Sequence, residues 1–391
     1  MSMTRTADVV VIGGGIMGAS TAYYLTKMGY GKVVLVEKYL LASGSTGHSA
    51  ANVRQHYSNE VTVQLAKRAV EMFSTFDDEL GYPCGFERVG YMIMAREEDK
   101  PAIEHVVKLQ QDTGIRSRLI SREDVKELAP QAQLDGVAGG CFEQDSGYAD
   151  PRATVGALVM RSKELGAEIH ELTQVIKIQT RGDRIHSVVT DRGEIETPAV
   201  VNCAGPWAGR VGEMVGVKYN LRFSRELDIK FQLPAKHGTF PVSADPHNGI
   251  YFRPQTKGFL IVGLTFPKEL EPCDPDTYDD KANTKEIEGV TSKIMRRVPG
   301  MADACAVSGW AGVYSITDDW YPIAGDVPGL LGYFHFVGGS GHGFKIAPPI
   351  AESLAGIIAG HKPRIDISSL RYTRFAEGRP FRSAWGPGNR G

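Results

Sequence analysis

The chain has 391 residues, too many for one ordinary core, so two domains are expected. A formal net charge of −2, with no long Lys/Arg run, excludes an electrostatic nucleic-acid surface. Five scattered cysteines without CxxC spacing, ten histidines without HExxH or paired spacing, and no stretch of the ~20 apolar residues that span a bilayer predict a reducing, cytoplasmic setting, no metal and no membrane span. The first element is the apolar run Ala7-Asp8-Val9-Val10-Val11-Ile12, read as a strand and not as a signal peptide because glycines interrupt it. Gly13-Gly14-Gly15-Ile16-Met17-Gly18 follows, then a helical pattern to about Met28, then Lys32–Val36 leading to Glu37. Strand, glycine turn, helix, strand and acid each serve a dinucleotide. Gly13 makes the tight turn, Gly15 lets backbone approach a pyrophosphate, Gly18 lets helix and strand pack, and Glu37 can accept from ribose hydroxyls. The helix N-terminus offers N–H groups to phosphate. A glycine turn in an unrelated α/β domain would need another reason for Glu37.

A small-residue stretch, Ser43 to Arg54, comes next. Apolar residues Val61, Leu65, Ala69, Met72, Phe76 and Leu80 recur at helical steps and predict a helix over Glu60–Leu80. Phe86–Ala95 reads as a strand, with helices near Glu97–Gln111 and Arg122–Leu128. Asp150-Pro151 starts another helix as cap and first residue. Strands follow at Val175–Ile178, Ile185–Val189 and Ala199–Val201, the last running into Asn202-Cys203-Ala204-Gly205-Pro206-Trp207. Phe223–Leu233, Gly249–Arg253 and Phe259–Leu264 suit a second sheet with one face toward a pocket. Asn283–Arg297 is a helix, Trp310–Ile316 and Tyr333–Val337 are strands, Pro348–Ile358 is the last helix, and the tail beyond Gly378 is expected to be loosely held. The first ninety residues supply too few strands for a nucleotide fold. Discontinuous domains are therefore expected: 1–85, 145–220 and 322–391 for the cofactor, 86–144 and 221–321 for the substrate.

GGGIMG with Glu37, Ser43-Gly44-Ser45-Thr46-Gly47-His48-Ser49-Ala50, the Asn202–Trp207 turn and Gly338-Gly339-Ser340-Gly341-His342-Gly343-Phe344-Lys345 occur in this order. With them the chain resembles the D-amino-acid-oxidase-like flavoproteins, from about Asp8 to about Ile358. It is most similar to the sarcosine oxidase β-subunit, dimethylglycine dehydrogenase and proline dehydrogenase β-subunit branch. The resemblance implies an α/β fold: a Rossmann-like FAD-binding domain and a second, antiparallel-sheet substrate domain, with the flavin where they meet. It implies that Gly13, Gly15, Gly18, Glu37 and Lys38 bind the ADP half and that Ser45 and Thr46 follow the diphosphate. Val175 meets the adenine, Ala204, Gly205 and Trp207 line the nucleotide side, and Gly339, Gly341, His342, Gly343 and Phe344 run past the flavin pyrimidine. Arg54 and Lys345 match the family's carboxylate-holding cations, as fork and point charge. The alternative is that Arg54 bonds a backbone carbonyl and that Lys345 points to solvent. Tyr251 and Tyr314 are candidates for the pocket wall, or for core packing. His48 matches a histidine that dimethylglycine dehydrogenase-like relatives join to the 8α-methyl of FAD, but Gly47 stands where they carry Trp. Contact without a bond is the other role open to His48. Gly312 stands where monomeric sarcosine oxidases tether FAD by cysteine, and Ile261 where they carry an oxygen-activating lysine, which implies slow reaction with O₂ and a separate acceptor.

The implied reaction is FAD-dependent oxidation of a secondary or tertiary amine of a small amino acid (sarcosine, dimethylglycine, proline or opine type) by hydride transfer to flavin N5. The substrate carries a carboxylate, and its amine must be neutral, which desolvation favours. Such a chain is expected as a homo-oligomer or as one subunit of a hetero-oligomeric dehydrogenase. Three alternatives stand beside it. A 2-hydroxy-acid dehydrogenase would need a base such as His48 or His342. A flavin-binding β-subunit would lack a substrate of its own. Simple NAD binding is the third.

Overall fold

The computed structural model describes residues 6–234, 238–265 and 269–383. Strand β1 (Val9–Ile12) is buried on both faces, as a central parallel strand requires. Helix α1 (Ile16–Lys27) returns the chain to strand β2 (Val33–Val36), which pairs parallel with β1. On the other side of β1 lie Val200–Asn202 and then Leu330–Val337, and beyond β2 lies Glu168–His170, all parallel. Arg184–Thr190, Gly193–Glu196, Val175–Arg181 and Ile323–Val327 complete a nine-stranded sheet. Its strands thus come from 9–36, 168–202 and 323–337. α1 packs on the helices Pro151–Glu164 and Gly343–Ile358, and this contact forms the largest apolar core.

The second sheet has eight strands, drawn from 91–143 and 222–316. Their order is Cys305–Ile316, Arg222–Gln232, Phe259–Leu264, Ile250–Gln255, Val242–Asp245, Tyr91–Ala95, Gly139–Glu143 and Ser117–Ile120. Neighbours are antiparallel except Val242–Asp245 with Tyr91–Ala95. The period of two separates its faces. Ile229, Phe231, Phe252, Leu260 and Val262 pack under the helix Thr284–Arg297, through Val290 and Ile294. Arg297 ties that helix to the sheet by a buried ion pair to Asp245 at 2.6 Å. The opposite face looks toward the first sheet.

Three expectations are corrected. The last helix begins at Gly343, not near Pro348, and holds Pro348 and Pro349 inside it. Prolines lack the donors that would reach the carbonyls of Phe344 and Lys345, yet burial against α1 and the helix Glu60–Leu80 keeps the helix intact. The strand expected over Phe86–Ala95 covers Tyr91–Ala95, because Glu87 bridges instead to Tyr148. The tail is held as far as it is described: Phe381 packs on Tyr321 at 4.6 Å and its N–H reaches Asp319, itself paired with Arg374 in the interior. Residues from 384 on lie outside the described set.

His335, on Leu330–Val337, is fully buried and bonds the Tyr219 hydroxyl at 3.0 Å. Burial, then the charge of Arg374, pushes its pKa down to about 3, and burial does the same to His56. The unfolded chain takes up these protons near pH 6.5, the folded chain only near pH 3. Stability therefore falls as pH drops through that window, by about 1.4 kcal/mol per pH unit for each histidine. Glu143 acts in the opposite sense, since burial raises its pKa. In urea titrations at pH 6 and pH 4.5, His335→Gln should remove about 2 kcal/mol of the wild-type loss.

Candidate active site

The carboxyl ends of β1, β2 and Val200–Asn202 converge where the strand order reverses, and a cavity of 760 Å³ opens there between the two sheets. Gly13 has φ +114°, and a Cβ on it would meet the Cys203 carbonyl at 2.4 Å. One on Gly18 would meet the Gly13 carbonyl at 1.8 Å, so Gly18 serves helix-to-turn packing and stands behind the cavity wall. Gly13 and Gly15 are in the wall. Glu37 is fixed there as acceptor from the Gly14 N–H at 2.6 Å and the Tyr39 N–H at 2.8 Å. The α1 N-terminus is partly occupied: the Ile16 N–H donates to Thr46 Oγ1 at 3.1 Å, so one of its donors is already satisfied. Val175, Ala204 and Gly205 line the same end. Lys38 stacks on Trp207, its Nζ 3.7 Å from the ring centre. Asp276, from the segment following Phe259–Leu264, accepts from Trp207 Nε1 at 2.6 Å and pairs with Arg210 at 2.5 Å. The Trp207 bond first, then Arg210, holds its carboxyl below the usual range.

Residues 44–54 form the middle of the wall and are bonded to the second sheet. Ser45 Oγ donates to the Val313 carbonyl at 2.6 Å, Trp310 Nε1 to the His48 carbonyl at 2.9 Å, and Arg253 Nε to the Ala50 carbonyl at 2.6 Å. His48 Nδ1 lies 3.0 Å from the Gly44 carbonyl, which can only accept, so the neutral ring keeps its lone pair on Nε2. A Cβ at Gly312 would meet His48 Cβ at 2.9 Å. Gly339, Gly341, Gly343 and Phe344 line the cavity, the last two in the first turn of the final helix. His342 does not: it is buried with Nδ1 3.2 Å from the Tyr57 hydroxyl and Nε2 2.6 Å from the Trp320 carbonyl. Both ring nitrogens are thus engaged away from the cavity.

Arg54 and Lys345 both line the cavity, and Lys345 is 5% exposed, so it does not point to solvent. The Arg54 guanidinium does bond a backbone carbonyl, that of His56, while stacking over Tyr57 at 4.7 Å and Tyr91 at 5.8 Å. Burial opposes its charge, but Tyr57, Tyr91 and Glu143 outweigh it and its pKa is raised. Glu143 accepts from the Gln55 N–H, Gln110 and Ser146, so the backbone next to Arg54 is anchored to the second sheet. Tyr251 and Tyr314 line the cavity. So do Glu226 and Asp228, which sequence reasoning missed. The signal was present in Glu226-Leu227-Asp228-Ile229, where acids alternate with apolar residues. Ile261 is buried outside the cavity lining, beside Lys230 and Arg253. For the nucleotide end, Asp276→Ala should raise the rate of dinucleotide release about fivefold at moderate salt, read as recovery of cofactor fluorescence on dilution.

Among the described residues no helix is long and apolar enough to cross a membrane. The DAO family model, described as FAD dependent oxidoreductase, matches residues 8–357. The chain is 30% identical over 401 residues to mitochondrial sarcosine dehydrogenase of Mus musculus, covering 98% of this chain and 43% of that protein. It is 27% identical to 4-methylaminobutanoate oxidase (formaldehyde-forming) of Paenarthrobacter nicotinovorans, covering 94% of this chain and 45% of that protein. It thus spans less than half the length of these curated relatives. Among solved structures, L-proline dehydrogenase from P. horikoshii is 28% identical with a TM-score of 0.91, over 97% of this chain and 100% of that one. The Gly13 turn, the placed Glu37 carboxylate and a 760 Å³ cavity lined from Val175 and Trp207 to Phe344 fit FAD. The chain belongs to the DAO family of FAD-dependent oxidoreductases.

Proposed function

We propose that the protein oxidises a secondary or tertiary amine of a small amino acid, of the sarcosine, dimethylglycine, proline or opine type. The observation that carries this is the pair of cations, Arg54 and Lys345, lining one cavity. A substrate carboxylate meets both a fork and a point charge. Residues 1–85, 145–220 and 322–391 hold the cofactor and 86–144 and 221–321 shape the substrate side. Gly13, Gly15, Glu37, Lys38 and Trp207 hold the ADP half, and the turn from Gly339 to Phe344 meets the flavin. FAD supplies the hydride acceptor when bound. Arg54 and Lys345 orient the substrate by its carboxylate, while the walls exclude water and so favour the neutral amine. The sarcosine and proline dehydrogenase likenesses support the amine class. A hydroxy-acid reading loses one of its two candidate bases, because His342 faces away from the cavity. All five cysteines are free of disulfides, which agrees with a cytoplasmic, reducing setting.

His48 contacts the cofactor without a bond. It does occupy the space that a side chain at 312 would need, with Nε2 as its nucleophilic nitrogen, so the bond is chemically accessible and a direct test applies. On acid precipitation the yellow colour should all leave the protein; colour retained by the pellet, and lost in His48→Ala, would establish the link. Anaerobic titration with sarcosine, dimethylglycine and L-proline should bleach the flavin absorbance. Arg54→Ala should raise the apparent KM about 100-fold, the scale of a lost charged hydrogen bond, with FAD content unchanged. Unchanged kinetics would remove Arg54 from the site.

A further inference from the structure

The cavity that holds Arg54 and Lys345 also has an acidic stretch of wall. On Arg222–Gln232, Leu227, Ile229 and Phe231 enter the core, while Glu226 and Asp228 face the cavity at 8% and 5% exposure. Glu226 accepts from Ser224 Oγ at 2.9 Å, and the buried Arg253 guanidinium lies within electrostatic reach of Asp228. Asp228 is also supported across a gap. Gly263 lies between Asp228 and Tyr251 in the sheet register. A Cβ there would meet Asp228 Oδ1 at 2.3 Å and Tyr251 Cζ at 2.4 Å. The absent side chain lets the Tyr251 hydroxyl cross a whole strand and donate to Asp228. Burial first, then the Asp228 charge, holds the Tyr251 phenol well above its usual pKa, so it stays a donor. The other charged or titratable groups around this pair are Glu226 on the same strand, Arg253 beside Tyr251, and Tyr314. Arg54 stacks on Tyr91, whose strand is two spacings, roughly 10 Å, from that of Tyr251 and four, roughly 19 Å, from that of Asp228, and the Tyr251 side chain spans the last two. One cavity thus carries both the cations Arg54 and Lys345 and a braced carboxylate, the two kinds of group that a zwitterion needs.

Resting on the amine-oxidation reading, we propose that Asp228, braced by Tyr251, receives the substrate's ammonium group and takes its proton. The step balances as R₂NH₂⁺ plus carboxylate giving R₂NH plus carboxylic acid: one N–H bond breaks, one O–H bond forms, and the electron pair left on nitrogen assists loss of hydride. In a water-poor cavity the neutral pair is favoured over the ion pair. Asp228 thereby supplies recognition that Arg54 and Lys345 cannot: it distinguishes an amino acid from an acid of the same shape.

The test uses the FAD-loaded protein and two matched pairs, L-proline against tetrahydro-2-furoate and sarcosine against methoxyacetate. Asp228→Asn keeps the shape and an acceptor for Tyr251. It should weaken the amines about 30-fold, from the concentration dependence of flavin bleaching, and slow bleaching about 100-fold. The ether acids, read by the shift they cause in the oxidised flavin spectrum, should weaken less than about threefold. Tyr251→Phe keeps the carboxylate and should show the same selectivity at about a third of the size. Equal weakening of amines and ethers, or amine bleaching unchanged in Asp228→Asn, would overturn this inference alone. Failure of every amine to bleach the wild-type flavin would overturn the amine reading and this inference with it.

Discussion

The segment from Gly44 to Gln55 is bonded to the start of α1 on one side and to the second sheet on the other, and it forms the middle of the cavity wall. On one side Thr46 accepts the Ile16 N–H at the start of α1. On the other, Ser45, His48, Ala50 and Gln55 are bonded to Val313, Trp310, Arg253 and Glu143 of the second sheet. Backbone polar groups in an interior need partners, and here these partners also fix the distance between two lobes. Bonds at its backbone and at Ser45 and Thr46 fix the loop, and His48 and Arg54 line the cavity from it. The site is thus as rigid as the sheets on either side of it, which a hydride transfer over a short gap requires.

The charge pattern follows from that enclosure. His56 and His335 are buried and stay neutral, while Arg54 keeps its charge because phenols and Glu143 surround it. Arg54 lies over Tyr91, while Asp228 accepts from Tyr251 two strands away in the same cavity wall. An apolar slot would bind a flavin equally well. A slot with separated charges selects a second, smaller molecule.

The nucleotide half was legible because its signals are local. A strand, a glycine turn, a helix and Glu37 fall within thirty-eight residues, and Gly13 and Gly18 are demanded by contacts with neighbouring backbone. The substrate half is built from pairs far apart in sequence, such as Gly263 with Asp228 and Gly312 with His48, and a single glycine in a strand does not announce what fills its space. Gly139–Glu143 and Ser117–Ile120 were missed because short strands with glycine or charge carry weak alternation. The start of the final helix at Gly343 is hidden in the sequence because Pro348 and Pro349 interrupt its pattern and only tertiary burial carries the helix through them. His342 lay in the right motif, but which way a ring turns depends on Tyr57 and Trp320, which sequence alone does not bring near.

The account's central claim is that one cavity between two sheets holds FAD and, beside it, a small zwitterion aligned by opposite charges. The most direct measurement is a crystal structure of the FAD-loaded protein with pyrrole-2-carboxylate, an unreactive acid with an N–H donor. The account predicts its carboxylate on Arg54 and Lys345 and its N–H directed to Asp228. A flavin absent from the cavity, or a carboxylate bound away from both cations, would contradict it.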